Sequence, residues 1–432
     1  MRIKSLVQTF IGTAKIVVDG IFTEAETNAV IIKAQPTKRE QCRCGICHRK
    51  ASGYDSGSES RRWRCLDIGS TVVYIESPLP RVRCKAHGVV TASVPWARHK
   101  SRFCKNFEET VTWLAAHASK KVVSELMRIE WHSVGRICSR VYKEMESKMP
   151  SRFDGLVNIG IDETSYKKGH KYMTVVIDHD TASVIWCDIG YGKDVLARFF
   201  ELLTPEQRAF IRCVSADGAR WIAACIEEYC PNAARCVDPF HVVSWATETL
   251  DKERRRAWSE ANQTAKEAKK RSKGRPASGE EVNPEKKQAK AVKNLRYVLL
   301  KNPENLSENQ QAQLEFLTQA NPRLYRAYLL KEGLRLALKA GAAEIEQALS
   351  KWMEWAQRCR IPGFRELRLK IKRNFTSIVA ASRYGLSNAR MEATNNKIKL
   401  VILTAFGFRN SESLKAMVML TCSPVHLELP GR

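Results

Sequence analysis

The chain has 432 residues, 44% of them hydrophobic, and 72 basic against 46 acidic side chains give it a net charge of +26. That length asks for two to four cores rather than one, and no apolar run approaches the length of a membrane span. So large a basic excess calls for a polyanionic partner, and nucleic acid comes before anionic lipid because no basic amphipathic helix with a bulky aromatic face stands out.

The N-terminal residues lack the apolar segment of an export signal, so the fourteen cysteines are expected as thiols or metal ligands of an intracellular chain rather than as disulfides. Residues 1–40 alternate apolar and polar positions around 16–22 and 30–34, with Asp19-Gly20 and 24–28 as turns, which predicts one or two hairpins without chemistry. Residues 41–98 contain CRCGICHRK and VRCKAHG. Cys44-x-x-Cys47 and Cys84-x-x-His87 supply four soft ligands for a closed tetrahedral zinc site, with Cys42 or Cys65 able to replace one of them. Residues 61–66 and 71–75 read as strands between the knuckles, so the expectation is a zinc-ribbon-like module around a structural metal.

Residues 99–150 turn helical, with Phe103, Phe107, Val111, Leu114 and Ala115 at helical spacing. KKVVSELM at 120–127, a break at 128–130 and WHSVGRICSRVYKEM at 131–145 read as helix, turn, helix. Val122, Val123, Leu126, Val134, Ile137 and Val141 are the expected shared core. A second helix that enters a major groove leads with its N-terminal residues, here His132, Ser133 and Arg136, with Arg140 further along. A helical hairpin without DNA contacts is the plain alternative.

Residues 151–240 carry the acids. The spacing predicts a buried strand over 156–161 that ends on Asp162 and Glu163, a basic turn with Lys167, Lys168 and Lys171, and strands over 173–177 and 183–189. A helix over 193–203 stops at Thr204-Pro205. A strand over 211–216 ends on Asp217, a helix follows over 219–229, and a strand over 234–237 ends on Asp238. Three meandering strands and two crossovers predict a mixed five-stranded α/β sheet whose fourth strand lies parallel to the first. Asp162 and Asp217 then share neighbouring strand ends, although a lone Asp after a strand usually only caps a turn. Adjacent carboxylates repel and need a cation, and all-oxygen ligands suit magnesium or manganese.

A third carboxylate lies in GLSNARMEATNNKIK, residues 385–399. Ser387 or Asn388 caps a helix there, and Asn388, Glu392, Asn395, Asn396 and Lys399 form a polar stripe whose single acid is Glu392. Met391, Ile398 and Ile402 lie toward the other face. A solvated helix face is the ordinary explanation, yet three asparagines are unusual for one. Residues 241–384 read as an all-α insertion: a basic helix over 245–273, an exposed loop over 274–284, and helices over 286–300, 307–320, 323–340 and 342–360. Its expected bundle core is Leu324, Tyr325, Tyr328, Leu334, Leu336, Ile345, Leu349, Trp352 and Trp355.

The order of these pieces, from the knuckle pair through VRCKAHGVVTASVPWA, the helix-turn-helix, IGIDE, VSADGARW, VDPFHVV and GLSNARMEATNNKIK, resembles the DDE transposases of bacterial insertion sequences, specifically the ISL-three family. The resemblance covers about residues 44–410. It implies a ribonuclease-H-like fold with an inserted helical domain, with residues 385–420 returning to the core and 421–432 as a tail. It implies an Asp/Asp/Glu triad that maps onto Asp162, Asp217 and Glu392, with Asp238 second in line for the middle position. Family members usually carry cysteines in both knuckles, so His87 departs from the pattern. The implied function is binding of terminal inverted repeats, then metal-dependent cleavage and strand transfer with two magnesium (or manganese) ions. Lys167, Lys168, Lys171 and Lys399 become phosphate clamps. Double-stranded DNA is the implied partner, at least a dimer the implied assembly, and the bacterial cytoplasm the implied location. A DNA-binding regulator with a decayed core and a structure-specific nuclease are the rival readings.

Overall fold

Apolar alternation builds the first sheet. The computed structural model describes residues 3–57, 60–271, 284–386 and 389–430, which fall into two compact units. The first comprises Met1–Arg152, Tyr166–Gly169 and Asn396–Arg432; the second comprises Phe153–Ser165 and His170–Asn395.

In the first unit, α1 (Ile3–Ile11) precedes β1 (Ile16–Glu24) and β2 (Ala29–Pro36), which pair antiparallel as the expected hairpin. Asp19-Gly20 is not a turn: the register shifts between Val18 and Gly20, which absorbs the extra residue as a bulge. The chain continues through β3 (Ser52–Asp55), β4 (Ser60–Arg64), β5 (Val73–Pro78), β6 (Arg81–Cys84) and β7 (Gly88–Thr91). β2 pairs parallel with β5. The hairpin and the cysteine-rich segment therefore share one sheet, ordered β1-β2-β5-β4, and one core that holds Ile16, Ile32, Trp63, Ile75 and Trp96. β3, β6 and β7 form a second sheet.

Next come α2 (Lys105–His117), α3 (Lys120–Leu126) and α4 (Trp131–Lys148). The Ser119 side chain caps α3 by accepting from the backbone N–H of Val122, and Arg128 breaks the helix with a left-handed φ of 53°. Phe107, Val111, Val123, Val134, Ile137 and Val141 are buried together. Val122 and Leu126, expected in that core, are 51% and 62% exposed. The inward stripe of α3 is Val123 and Met127, so the residues one position earlier are rotated outward by about 100°.

In the second unit, β8 (Asn158–Lys167), β9 (Lys171–Asp178) and β10 (Ser183–Ile189) are followed by α5 (Lys193–Glu201), α6 (Pro205–Phe210), β11 (Cys213–Ala216), α7 (Arg220–Tyr229) and β12 (Ala234–Val237). The sheet order is β10-β9-β8-β11-β12. β9 and β10 are antiparallel, while β8, β11 and β12 run parallel. One face packs Ile159, Ile161, Val214 and Ala216 against Phe199, Phe200, Ile222 and Ile226. Thr204-Pro205 ends one helix and opens α6 with a capping box to Gln207.

The helical segment runs through α8 (Pro239–Arg271), α9 (Pro284–Asn294), α10 (Arg296–Leu300), α11 (Glu308–Ala320), α12 (Pro322–Leu338), α13 (Ile345–Arg358), α14 (Pro362–Arg373) and α15 (Phe375–Tyr384). Most of the loop expected over 274–284 lies outside the described residues. Leu324, Tyr328, Leu334, Ile345, Leu349 and Trp352 are core as expected, and Tyr325 packs against them. Leu336 and Trp355 are not, at 60% and 42% exposure. The buried stripe of α12 runs through Leu330, Leu334 and Leu338, which leaves Leu336 on the far side. Trp355 instead turns the edge of its ring to Gly333, where an added Cβ would sit 2.5 Å from Cζ3. The Ala381 side chain of α15 meets Cys213 and Cys236 on the second face of the sheet, so the last of these helices belongs to the sheet.

Finally α16 (Ala389–Thr404) leads to α17 (Ser411–Cys422). The capping residues Ser387 and Asn388 lie outside the described residues. Met391 and Ile398 are fully buried. Met417 and Leu420 of α17 enter the core of α2 and α4, and an added Cβ on Gly135 would lie 2.8 Å from the Ser413 hydroxyl.

Candidate active site and metal centre

The cysteine knuckles meet because the chain around Cys44 is stitched to the end of β7. Cys44 bridges Ala92, and the Gly45 N–H donates to the Thr91 carbonyl at 3.1 Å. A Cβ on Gly45 would lie 2.5 Å from that oxygen, so the approach needs glycine. The Sγ atoms of Cys44 and Cys84 are each 3.6 Å from His87 Nδ1, and Cys47 Sγ is 3.7 Å from Cys84 Sγ. All four ligand atoms lie within 4.8 Å of one another. Zinc–sulfur bonds of about 2.3 Å give a tetrahedron whose edges are about 3.8 Å, so the cluster has the dimensions of a closed zinc site. The Cys84 thiol is lowered to about 6, first by the Ala86 N–H and then by His87, toward the thiolate that zinc binds. Cys42 is exposed outside the cluster. Cys65 is buried elsewhere, with its sulfur 2.7 Å from that of Cys104.

Asp162 does not end its strand, because β8 runs on to Lys167. What ends beside it is β11. The parallel register pairs Cys213 with Asn158 and Ser215 with Gly160; carried on by two residues, it sets Asp217 level with Asp162. β11 and β12 pair Ala216 with Val237, and one more residue sets Asp238 level with Asp217. Three aspartates are thus level in register, Asp162 within β8 and Asp217 and Asp238 one residue past the ends of β11 and β12. Asp162 Oδ1 accepts from the Glu163 N–H at 2.8 Å, Asp217 Oδ1 from the Ala219 N–H at 2.8 Å, and Asp238 Oδ1 from the Phe240 N–H at 3.0 Å. The last bond caps α8, and Asp238 is buried.

Helix α16 reaches these acids through Asn395, whose Nδ2 donates to Asp162 Oδ2 at 2.7 Å. Arg390 ties the same helix to the His179 carbonyl. Gly160 lies beneath, where a Cβ would meet His179 at 2.8 Å and Met391 at 3.1 Å. Burial raises the Asp162 carboxyl above its ordinary value, against the Glu163 N–H, His241 and Asn395, which lower it. Glu163 is pushed up to about 7 by burial and by the charges of Asp217 and Asp162. Glu392 is exposed one turn before Asn395. Among the described residues the zinc cluster alone brings three metal-ligating side chains within 4.8 Å, so the three carboxylates of the expected triad are not closed on a common point.

Of the residues expected to face DNA, His132, at 58% side-chain exposure, and Arg136 are exposed at the start of α4, with Ser133 half-buried between them. Arg140 is committed elsewhere: its Nε and Nη2 donate to Glu108 Oε1 at 2.9 and 2.6 Å. Lys167, Lys168 and Lys171 are exposed around the turn after β8, and Lys399 is exposed on α16.

Residues 159–418 match the family described as Transposase, residues 92–142 the helix-turn-helix domain of transposase family ISL3, and residues 40–87 the zinc-finger of transposase IS204/IS1001/IS1096/IS1165. The chain is 48% identical over 403 residues to the transposase for insertion sequence element IS1557 of Mycobacterium tuberculosis, covering 93% of this chain and 90% of the relative. The chain belongs to the ISL3 family of DDE transposases. A more distant relative is the transposase for insertion sequence element IS1001 of Bordetella parapertussis, 27% identical over 378 residues, which are 86% of each chain. This ISL3 transposase is an enzyme of DNA transposition that cuts and joins DNA, with zinc-finger, helix-turn-helix and transposase domains in that order. No helix among its described residues is long and apolar enough to cross a membrane.

Sequence reasoning about the transposase missed three side chains near the acids. His241, three residues after Asp238, sits close enough to favour the charged form of Asp162. Lys370 of α14 lies with its Nζ 3.7 Å over the Trp245 ring; burial lowers its pKa, while Glu248 and Asp217 oppose the shift. Trp245 itself covers Gly218, where a Cβ would lie 2.4 Å from the indole. Only the DPFH wording hinted at His241, and no signal marked Lys370.

Proposed function

We propose that this transposase binds the terminal inverted repeats of its element and then cleaves and joins DNA at a divalent-metal site formed by Asp162, Asp217 and Glu392. The observation that carries the reading is the register of β8 against β11, which sets the first two acids side by side where α16 arrives. The sheet order, with β9 and β10 paired antiparallel and β8, β11 and β12 parallel, supports a ribonuclease-H-like core. Residues 241–384 then form an inserted helical domain, apart from α15.

The residues suit magnesium or manganese. The donors are all oxygens, burial and then the charges of Asp217 and Asp162 push up the neighbouring Glu163 carboxyl, and Asn395 Oδ1 is buried beside Asp162 without a hydrogen-bond partner. When bound, two such ions supply Lewis-acid stabilisation of the attacking and leaving oxygens of an in-line displacement. The protein's part is placement. The Glu163 N–H and Asn395 hold the two oxygens of Asp162, so its carboxylate plane is set before metal or DNA arrives. The Ala219 N–H holds one oxygen of Asp217 and leaves the other for the site. Glu392 approaches from the first turn of α16. Asp238 is the alternative middle acid, but it caps α8 and lies one strand further from Asp162, which supports Asp217.

DNA recognition falls to His132, Ser133 and Arg136 at the N-terminal end of α4. Lys167, Lys168, Lys171 and Lys399 meet phosphates, and two ends in one reaction require at least a dimer. Four ligands, Cys44, Cys47, Cys84 and His87, hold the structural zinc. The partner DNA places the protein in the bacterial cytoplasm. The test is nicking of an end-labelled duplex carrying the element's terminus, with magnesium and with chelator. Magnesium-dependent nicking lost in Glu392→Ala supports the assignment. Nicking retained in Asp217→Ala but lost in Asp238→Ala moves the middle acid.

A further inference from the structure

In the helical segment, α8, α9 and α10 enclose a cavity of about 570 Å³ lined by Arg254, Arg255, Trp258, Lys293, Asn294, Arg296 and Tyr297. Four of these seven side chains are cationic and none is acidic. We infer that this cavity is a binding site for an unpaired DNA strand, in which a base stacks on Tyr297 against Trp258 while flanking phosphates take Arg255, Lys293 and Arg296.

The argument begins with what these residues are not doing. Val292, Leu295, Val298 and Leu299 anchor α9 and α10 in the helical core, yet Tyr297, between two of them, is 71% exposed. An aromatic ring so placed contributes little to folding and offers a bare π-face. Trp258 also lines the cavity, half-buried against the same core and so held in place. The cations divide in the same way. Arg254 is buried and fixed by Asp251 at 2.7 Å, so it forms the floor. Arg255 touches the same acid at 3.1 Å but keeps 62% of its side chain exposed. Arg296 stands 6.0 Å over the Tyr297 ring, and Lys293 is exposed at the rim.

Stacking surface flanked by spread positive charge is the recognition chemistry of single-stranded nucleic acid. The cationic side chains lie along helices rather than in a glycine-rich loop, so they suit a polymer backbone better than a compact nucleotide pyrophosphate. The size agrees: pockets of about 300–1,000 Å³ hold ligands of nucleoside scale. An enzyme that cuts DNA makes strand ends that fray, and staggered cuts leave overhangs, which gives such a site an occupant. The inference rests on the chain being a DNA-cutting transposase and not on which carboxylates do the cutting.

The experiment uses the full chain without added magnesium. Fluorescence anisotropy compares a blunt terminal duplex with the same duplex carrying a short single-stranded overhang, and 2-aminopurine in the overhang reports stacking. The unmodified protein should prefer the overhang by about tenfold and quench the 2-aminopurine. Tyr297→Ala should reduce both to the blunt-duplex level, Tyr297→Phe should keep them, and blunt-duplex affinity should be the same in all three. Equal affinity of the unmodified chain for the two duplexes overturns the proposal, as does an undiminished preference in Tyr297→Ala. Loss of nicking in the carboxylate variants has no bearing on this binding assay, so the two readings fail separately.

Discussion

Asn395 donates its Nδ2–H to Asp162 Oδ2 at 2.7 Å across 233 residues of chain. The bond ties the helix bearing Glu392 to the strand bearing Asp162, the first acid of the proposed triad. Second-layer hydrogen bonds of this kind are typically worth about 10–100-fold in metal affinity or activity. Asn395→Ala should therefore lower magnesium-dependent nicking by about that factor and raise the magnesium concentration needed for half-maximal rate. Duplex binding should stay as it was. A parent-like magnesium requirement in this variant would show the contact to be packing alone.

Glu108 is fully buried and accepts from Ser101 at 2.7 Å, from Arg98 at 3.2 Å and from Arg140 at 2.6 Å. Removing one member of such a network strands the others without a countercharge, at a cost of about 3–5 kcal/mol. Glu108→Ala should unfold the helix-turn-helix at markedly lower denaturant, as followed by circular dichroism. Arg140→Ala should show a smaller loss of stability and no change in which base pairs are preferred. Arg136→Ala should show the reverse: parent stability, with discrimination at one base pair reduced by about 1–3 kcal/mol. Relaxed sequence preference in Arg140→Ala would return that residue to the DNA surface.

Chelation should release one zinc per chain and disorder the segment around the knuckles, because such modules draw their folding free energy from the metal. Cys84→Ser should lose the zinc. His87→Cys should keep it, since a fourth thiolate fits the same tetrahedron. Elemental analysis and the absorption of a cobalt-substituted protein read the outcome, and a stoichiometry unchanged in Cys84→Ser contradicts the ligand set.

His179 is 1% exposed with its Nε2 2.6 Å from the Ser215 hydroxyl. Burial, and then the charge of Arg390, depress its pKa below the ordinary histidine value. The folded state therefore holds the ring neutral where the unfolded chain already binds a proton. Stability from this group is present above about pH 6.5, the unfolded value, and is lost as the pH falls through the folded one. The parent should melt lower at about pH 5.5 than at about pH 7.5, and His179→Gln should narrow that gap. An unchanged gap in the variant would assign the acid sensitivity elsewhere.

Local chemistry was readable without a structure wherever it depends on neighbours in the chain. Cys44-x-x-Cys47 and Cys84-x-x-His87 specify a metal because a tight knuckle needs only a few residues. The boundaries of β12 and the break before Trp131 follow from apolar period and turn chemistry in the same way. The net charge of +26 already named the class of partner. Tertiary structure decided what depends on residues far apart. Whether Asp217 stands beside Asp162 is a matter of strand register, and register is set by packing on both sheet faces rather than by either strand alone. Arg140 looked like a DNA contact because its sequence neighbours cannot show the buried Glu108 that takes its charge. Val122 and Leu126 fell outside the core because a seven-residue helix admits two apolar stripes, and only the partner helix selects between them. The packing of α17 on α4 joins segments more than two hundred residues apart, a contact no local pattern encodes, because the free energy that fixes it belongs to the shared core.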